Sequence, residues 1–267
     1  MPHSAAPSSN LLDLLRQIES NTVRDAIESR VTQRIGPFMA CAHPTNSMIW
    51  MSYAVPLSAH RQDVVDWAAV VAELRAWFKS HDRQLRFEIL EPLWPELAPE
   101  LVRQGVKLQG RMPLMLCGPG DLRVRAVPVS VSIEPVTAES SDDAIRELLT
   151  TARRGFADAP DPTDQDVTEQ RAALAAGRYR CVLAHCDGRP AGAGSMSIGN
   201  DELVGIATLP EYRRRGIAAA VSSRLVAEHF EKGAGLAWLS AGDQVARAVY
   251  EGIGFRVVGD QVNLQEG

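Results

Sequence analysis

Residues 209–218 constrain the fold more than any other segment, because they join a strand-like stretch to an amphipathic helix through a basic turn that contains glycine. The first amides of a helix lack intrahelical partners, and the helix dipole places partial positive charge at the same end. Anions therefore bind readily there. Gly216 lets the backbone approach a ligand closely, and Arg213, Arg214 and Arg215 can donate charge-assisted hydrogen bonds to phosphate oxygens. The segment predicts a diphosphate-binding turn at the start of a helix.

The spacing of this turn distinguishes between known phosphate-binding motifs. It matches neither the nucleotide P-loop nor the dinucleotide-binding pattern. Arg213, Gly216 and Ala218 instead follow the order Arg-x-x-Gly-x-Ala, which resembles the [QR]-x-x-G-x-[AG] acetyl-CoA signature of the GNAT superfamily of N-acetyltransferases. Pro210 and Tyr212 stand where that family commonly has a proline and an aromatic residue at the end of the preceding strand. A basic turn that only caps a helix is the alternative interpretation.

Composition narrows the classes of partner. The chain is 45% hydrophobic and 23% charged, which is ordinary for a globular protein. Its net charge of -5 provides no overall positive field, so nucleic acid and anionic membranes are not expected partners. The 4 cysteines form no C-x-x-C pair and the 6 histidines share no spacing, which predicts buried thiols and no metal site. With no signal-like amino terminus and no long apolar run, we expect a cytoplasmic protein.

The order of predicted elements divides the chain into two halves, with a Gly- and Pro-containing connection over residues 117–130. We predict domains at 1–125 and 126–267. Helices are predicted from residue 10 to before Gly36 and at 63–79, 94–104, 141–156, 217–232 and 243–251; strands are predicted at 47–55, 85–90, 107–116, 131–134, 178–186, 192–198, 201–208, 236–240 and 255–258. Polar residues 158–168 are predicted to form a mobile substrate loop. The resemblance implies an α/β (α+β) GNAT fold, with a mixed, mostly antiparallel sheet flanked by helices, in tandem.

An internal repeat supports this division. Residues 94–106 align with the segment that ends at 248–255, and each is preceded by a strand and a helix in the same order. The first half has no Arg-x-x-Gly-x-Ala turn, and Leu101 falls where Tyr250 lies in the second half. We therefore predict that the first half is a degenerate GNAT-like domain that serves as a packing partner or substrate wall.

The resemblance also implies a set of site residues, with acetyl-CoA as the cosubstrate. The family's fourth strand corresponds to residues 202–208, whose free edge would bond the pantetheine arm, and an N–H near Ala207 could polarise the thioester carbonyl. Asp243 stands where the family usually has asparagine, and it can also cap a helix. The predicted cofactor-binding residues are Ile206, Ala207, Thr208, Arg213, Arg214, Arg215, Gly216, Ile217, Ala218 and Asp243.

Two residues match catalytic positions of the family. Tyr250 stands where many members have a tyrosine near the thioester sulfur, and a phenol with a pKa near 10 can protonate a departing thiolate. Glu202 stands where many members have a glutamate that accepts the substrate proton, directly or through water. The alternatives are a tyrosine that only packs its ring and an exposed glutamate at a hairpin edge.

The resulting hypothesis is an N-acetyltransferase that moves an acetyl group from acetyl-CoA to a primary amine of a small molecule or peptide, by direct attack in a ternary complex. It would act as a monomer or homodimer, without a metal. The alternative is a non-catalytic CoA-sensing or interaction module that keeps the cofactor site. Release of CoA with an amine substrate separates the two.

Overall fold

The computed structural model describes residues 9–60, 65–156 and 160–267. Two compact units account for them: the first contains the described residues up to Leu114 together with Val257–Gly267, and the second contains Met115–Arg256. Relative to the predicted ranges 1–125 and 126–267, residues 115–125 fall within the second unit and residues 257–267 within the first. The assignment of one range as degenerate and the other as catalytic stays a prediction.

Seven helices and eleven strands are present in the described part of the chain. In chain order they are α1 (Ser9–Ser29), β1 (Val31–Ile35), β2 (Phe38–Ala42), β3 (Tyr53–Pro56), α2 (Trp67–Ser80), β4 (Arg86–Leu90), α3 (Leu97–Arg103), β5 (Lys107–Cys117), β6 (Val131–Val136), α4 (Asp142–Gly155), α5 (Asp164–Ala175), β7 (Tyr179–Cys186), β8 (Arg189–Ser197), β9 (Glu202–Thr208), α6 (Ile217–Glu231), β10 (Ala237–Ser240), α7 (Gln244–Gly252) and β11 (Arg256–Gln265). None of the described helices has the length and apolar character needed to span a membrane.

The first unit is built on a sheet with the strand order β1-β2-β3-β4-β11-β5. Strands β1 to β3 are antiparallel, whereas β3 and β4 are parallel and meet at one residue pair, Ala54 and Phe87. Strand β11 pairs antiparallel with β4. The rings of Phe38 and Phe87 pack edge to face in the core, with centroids 5.2 Å apart. An aromatic contact of this kind adds to the stabilisation that burial alone provides.

The second unit has the strand order β10-β9-β8-β7-β6. Strands β6 to β9 are antiparallel, and β10 runs parallel to β9. One core cluster contains Ile145 and Leu148 of α4, and another contains Val221 and Leu225 of α6. Successive strand residues alternate between these clusters, as the two-residue period of a strand requires. The predicted mixed, mostly antiparallel sheet flanked by helices is confirmed.

Two local predictions were wrong, and one hairpin was missed. The predicted first helix is present as Ser9–Ser29 and ends before Gly36, but the hairpin of β1 and β2 that follows it, with Gly36 in its turn at φ +54, was not predicted. The predicted strand over 47–55 is a strand only from Tyr53, because residues 49–51 form a 3-10 turn. Helix α5 begins inside the predicted loop 158–168, because Thr163 and Asp166 form a capping box that fixes its first turn. Residues 157–159 lie outside the described part, as do 63–64 at the start of a predicted helix.

Candidate functional site

The second unit has a gap between the parallel strands β9 and β10. They pair at Glu202 and Trp238, at the start of both strands. Beyond that pair, the edge of β9 that faces β10 has no pairing strand in the described structure, whereas its other edge pairs with β8 up to Thr208. A strand edge with unpaired backbone groups can bind an extended ligand by adding main-chain hydrogen bonds. The free strand edge that the resemblance implies is therefore present.

A β-bulge bends β9 at this gap. Ala193 of β8 faces Ala207, but Ser195 faces Val204, so β9 carries one extra residue between the two pairs. Gly205 lies in this stretch with φ +64, a backbone conformation that favours glycine. A bulge of this kind breaks the regular pairing and bends the strand that contains it. Bending of β9 accounts for its separation from β10.

Thr208 directs polar groups into the gap. The N–H of the next residue, Leu209, donates to Ala191 O at 2.9 Å, on the β8 side. Because backbone groups alternate along a strand, the N–H and C=O of Thr208 point away from β8. Its side-chain Oγ1 is buried and has no hydrogen-bond partner among the described residues. A buried hydroxyl without a partner is a polar group that a ligand can satisfy.

Glycines hold the neighbouring elements close to β9. A β-carbon added at Gly155, the last residue of α4, would lie 2.6 Å from Ala207 Cβ, and one at Gly192 would lie 2.9 Å from Ala207 O. One at Gly194 would lie 2.5 Å from Ile206 Cδ1. Ala207 is itself 4% exposed, and Ile206 packs against the α6 cluster. These two predicted cofactor residues therefore offer a ligand their backbone rather than their side chains.

The predicted diphosphate-binding turn leads from β9 into α6. Gly216 is the residue before the helix, with φ +81, and Arg214 is also left-handed, at φ +62. No side chain caps α6, and in the described structure the amides of residues 214–219 donate to no acceptor. The first turn of α6 therefore has unsatisfied donors at the positive end of the helix dipole. This arrangement suits an anion.

The three arginines of the turn have different surroundings. Arg213 donates from Nε to Thr208 O at 3.2 Å and from Nη2 to Gly155 O at 3.0 Å, so its side chain fastens the turn to β9 and α4. Arg215 donates to Glu211 O at 3.4 Å, and its guanidinium lies 5.4 Å from the centre of the Tyr212 ring. Arg214 is exposed. The predicted phosphate contacts of all three residues stay predictions.

Tyr250 lies on α7, with 9% of its surface exposed, and its ring packs against Phe255 with centroids 6.0 Å apart. Burial raises the pKa of the phenol to about 12, and the nearby Asp243 carboxylate adds to the shift. The phenol therefore keeps its proton at neutral pH. Asp243 accepts from Ala246 N at 2.7 Å, which confirms that it caps α7. Its contact with a cofactor stays a prediction.

Glu202 lies at the closed end of the gap. Its Oε2 accepts from Asn200 Nδ2 at 3.1 Å, and its own N–H donates to Asn200 Oδ1 at 3.3 Å. Trp238 on β10 donates from its indole to Asn200 O at 2.6 Å. Asn200 therefore ties the starts of both strands together and orients the predicted base. Asn200 could not be recognised as part of the site from the sequence, because its partners become neighbours only through the sheet.

A buried histidine lies near the same end of β9. His229 Nε2 is 3.0 Å from Asp201 Oδ1, and its Nδ1 is 3.3 Å from Arg180 Nη1. Because arginine can only donate, Nδ1 accepts and Nε2 carries the proton. This pair could not be recognised from the sequence, since its members are far apart in the chain. Among the described residues, no group of three or more His, Cys, Asp or Glu side chains could hold a metal ion.

A second histidine of this unit, His185, packs against a helix. It lies on β7, where its Nε2 is 3.2 Å from Glu147 Oε2 on α4. Its Nδ1 is buried without a partner among the described residues. The side chain therefore faces α4.

Comparison with known proteins agrees with this geometry. Residues 143–255 match the model of the acetyltransferase (GNAT) family. A GCN5-related N-acetyltransferase from Kribbella flavida is similar over 94% of this chain and 95% of its own, with 25% identity and a TM-score of 0.75. No curated protein matches the chain significantly.

Two further solved structures share the fold at lower identity. One is a GCN5-related N-acetyltransferase from Sphaerobacter thermophilus, with 14% identity, a TM-score of 0.64, and coverage of 86% of this chain and 76% of its own. The other is described as a tandem GNAT protein from the clavulanic acid biosynthesis pathway, with 17% identity, a TM-score of 0.62, and coverage of 98% and 89%. The bulged strand and the uncapped helix both lie within residues 143–255, the segment that matches the acetyltransferase (GNAT) family.

Proposed function

We propose that the second unit is an acetyl-CoA-dependent N-acetyltransferase domain. The observation that carries this proposal is the continuity of two features: the open edge of β9 runs directly into the uncapped start of α6. An extended arm along the strand and a diphosphate at the helix are the two parts of CoA that such a site would receive. If the basic turn only capped a helix, the open strand edge beside it would have no role.

The residues present fit this cosubstrate. The amides of residues 214–219, with Arg214 and Arg215, would bind the diphosphate. The Thr208 N–H, directed into the gap, would bond the pantetheine arm or polarise the thioester carbonyl. The buried Thr208 hydroxyl would gain the partner that it lacks. Asp243, at the start of α7, would border the same ligand.

Two side chains would donate and accept the protons of the reaction. The Tyr250 hydroxyl, whose raised pKa keeps it protonated at neutral pH, would donate its proton to the thiolate as that group departs. Glu202 would accept the proton of the attacking amine, directly or through a water molecule. Asn200 would keep the Glu202 carboxylate in one orientation by its hydrogen bond. The acetyl group would pass to the amine within a single ternary complex.

The acceptor that we propose is a primary amine of a small molecule or peptide. The domain would need no metal and no nucleic acid, and it would act as a monomer or homodimer. The four described cysteines are free and buried, which supports a reducing compartment such as the cytoplasm as the site of action.

Binding and turnover test this proposal separately. Isothermal titration measures acetyl-CoA binding, and a thiol-reactive dye then measures CoA release with a panel of small amines and peptides. An acetyltransferase releases thiol only with a suitable amine, whereas a CoA-sensing module binds acetyl-CoA and releases none with any amine. Failure to bind acetyl-CoA would overturn both possibilities.

A further inference from the structure

A cavity of about 470 Å³ adjoins the start of α6. Arg125 and Pro128 of the segment before β6 line it, together with Arg215 and Gly216 of the turn, and Ala248 and Val249 of α7. Its volume is in the range of small-molecule sites. Pro128 Cγ would lie 3.8 Å from a β-carbon at Gly216, so this segment reaches the predicted diphosphate turn itself.

The cavity is suited to a nucleotide by the charge and the apolar part of its lining. Arg125 and Arg215 bring two guanidinium groups to its lining, and none of the described residues contributes a carboxylate to it. Small apolar residues of α7, Ala248 and Val249, form another part of the lining, where a flat base can pack without losing hydrogen bonds. A ligand with an apolar ring and more than one anionic group would satisfy both parts.

Arg125 is held in place by both helices. Its N–H donates to Ser223 Oγ on α6 at 3.0 Å, and Ser223 is 0% exposed. Its Nη2 donates to Gly252 O at the end of α7. Among the described residues, its Nε and Nη1 have no partner, so these donors are free for a ligand. Arg215 is instead anchored to Glu211 within the turn, so the two guanidinium groups belong to different walls.

We propose that Arg125 binds the 3′-phosphate of the adenosine part of acetyl-CoA and makes the protein prefer CoA over 3′-dephospho-CoA. This rests on the proposed function, which assigns the diphosphate to the amides at the start of α6. With those amides occupied, a second anion on the same ligand would meet the guanidinium on the other wall. Residues 125–128, which lie in the predicted connection, thus form part of the cofactor site.

The experiment compares two ligands on four proteins. Isothermal titration gives the affinities of acetyl-CoA and 3′-dephospho-acetyl-CoA for the wild type, Arg125→Gln, Arg125→Lys and the control Arg123→Gln. Arg123 lies in the same segment and carries the same charge, but it does not line the cavity. We expect the wild type to bind acetyl-CoA about tenfold or more tightly than the dephospho form, since a bond to a charged group contributes that much.

In Arg125→Gln this preference should disappear, because the affinity for acetyl-CoA falls. The affinity for the dephospho form should stay unchanged, which would show that the site is still folded. Arg125→Lys should keep part of the preference, and Arg123→Gln all of it. If the wild type bound both ligands with equal affinity, the inference would be wrong. It would also be wrong if Arg125→Gln kept the preference for acetyl-CoA. Either result would leave the proposed function unaffected. Binding of neither ligand to the wild type would overturn the proposed function, and the inference with it.

Discussion

Helices α2 and α6 follow equivalent strands in the two units, yet they begin differently. In the first unit the Asp66 carboxylate caps α2 by accepting from Ala69 N at 3.1 Å. The Glu19 carboxyl accepts from Ser58 N at 2.6 Å, just after β3. In the second unit Gly216 precedes α6 and offers no side-chain acceptor. In the first unit, acidic side chains accept hydrogen bonds from the backbone N–H groups after β3 and at the start of α2. In the second unit, the N–H groups at the start of α6 have no such acceptor among the described residues and are available to a ligand.

The strand gap does not distinguish the two units. Strands β3 and β4 meet at a single parallel pair, Ala54 and Phe87, as β9 and β10 do at Glu202 and Trp238. Leu101, which aligns with Tyr250, is 0% exposed and brings no hydroxyl. A split parallel pair is therefore a property of the fold, and it acquires a chemical use only with an uncapped helix and a proton donor beside it.

The largest effect is expected when α6 is given an acidic group of its own. Gly216→Glu should weaken acetyl-CoA binding by about 100-fold or more, because a carboxylate near the diphosphate costs several kcal/mol. Isothermal titration measures the change. Gly216→Ala controls for backbone strain at φ +81 without added charge and should lose less affinity. Unchanged affinity in the glutamate variant would remove the contrast between the two helices.

The next effect concerns the proton donor. Tyr250→Phe should lower kcat about 100-fold and change KM little, since a general acid acts in the transition state. Because the pKa of Tyr250 is raised to about 12, the phenol keeps its proton below that pH. The wild type should therefore show no loss of kcat from Tyr250 ionisation between about pH 7 and about pH 10. A kcat in Tyr250→Phe equal to the wild-type value would reject the acid role.

A smaller effect is expected from the close packing around β9. Gly155→Ala should lower the free energy of unfolding by about 2 kcal/mol, because its methyl group would meet Ala207 Cβ, which cannot turn aside. Urea denaturation measures this. Gly235→Ala adds the same group where no atom lies within 4 Å and should change stability far less. Equal stability of both variants would show that β9 is not held as tightly as its contacts indicate.

The smallest effect is expected from removing the aspartate caps of α2 and α7. Asp66→Ala should cost about 1 kcal/mol of stability through loss of the cap of α2, with no change in acetyl-CoA affinity. Asp243→Ala removes the equivalent cap of α7 and should also weaken acetyl-CoA binding. Thermal unfolding and titration of both variants test this. A change in affinity in the Asp66 variant would mean that the first unit also takes part in cofactor binding.

Sequence reasoning could predict the features that depend on neighbouring residues. The turn before α6 and the cap at Asp243 follow from residues within one or two helical turns of each other. The position of β11 could not be predicted in this way, because its partner β4 is distant in the chain. The hairpin at Gly36 was missed because a glycine can end a helix as well as form a turn. The contact of Arg125 with the cavity depends on α6 and α7 coming together.

The position of β11 has a consequence for the order of folding during synthesis. Strand β11 lies between β4 and β5 in the sheet of the first unit, although it follows the whole second unit in the sequence. A nascent chain that has not yet reached residues 256–265 lacks the strand that separates β4 from β5. The unit that is translated first is therefore the one that is completed last.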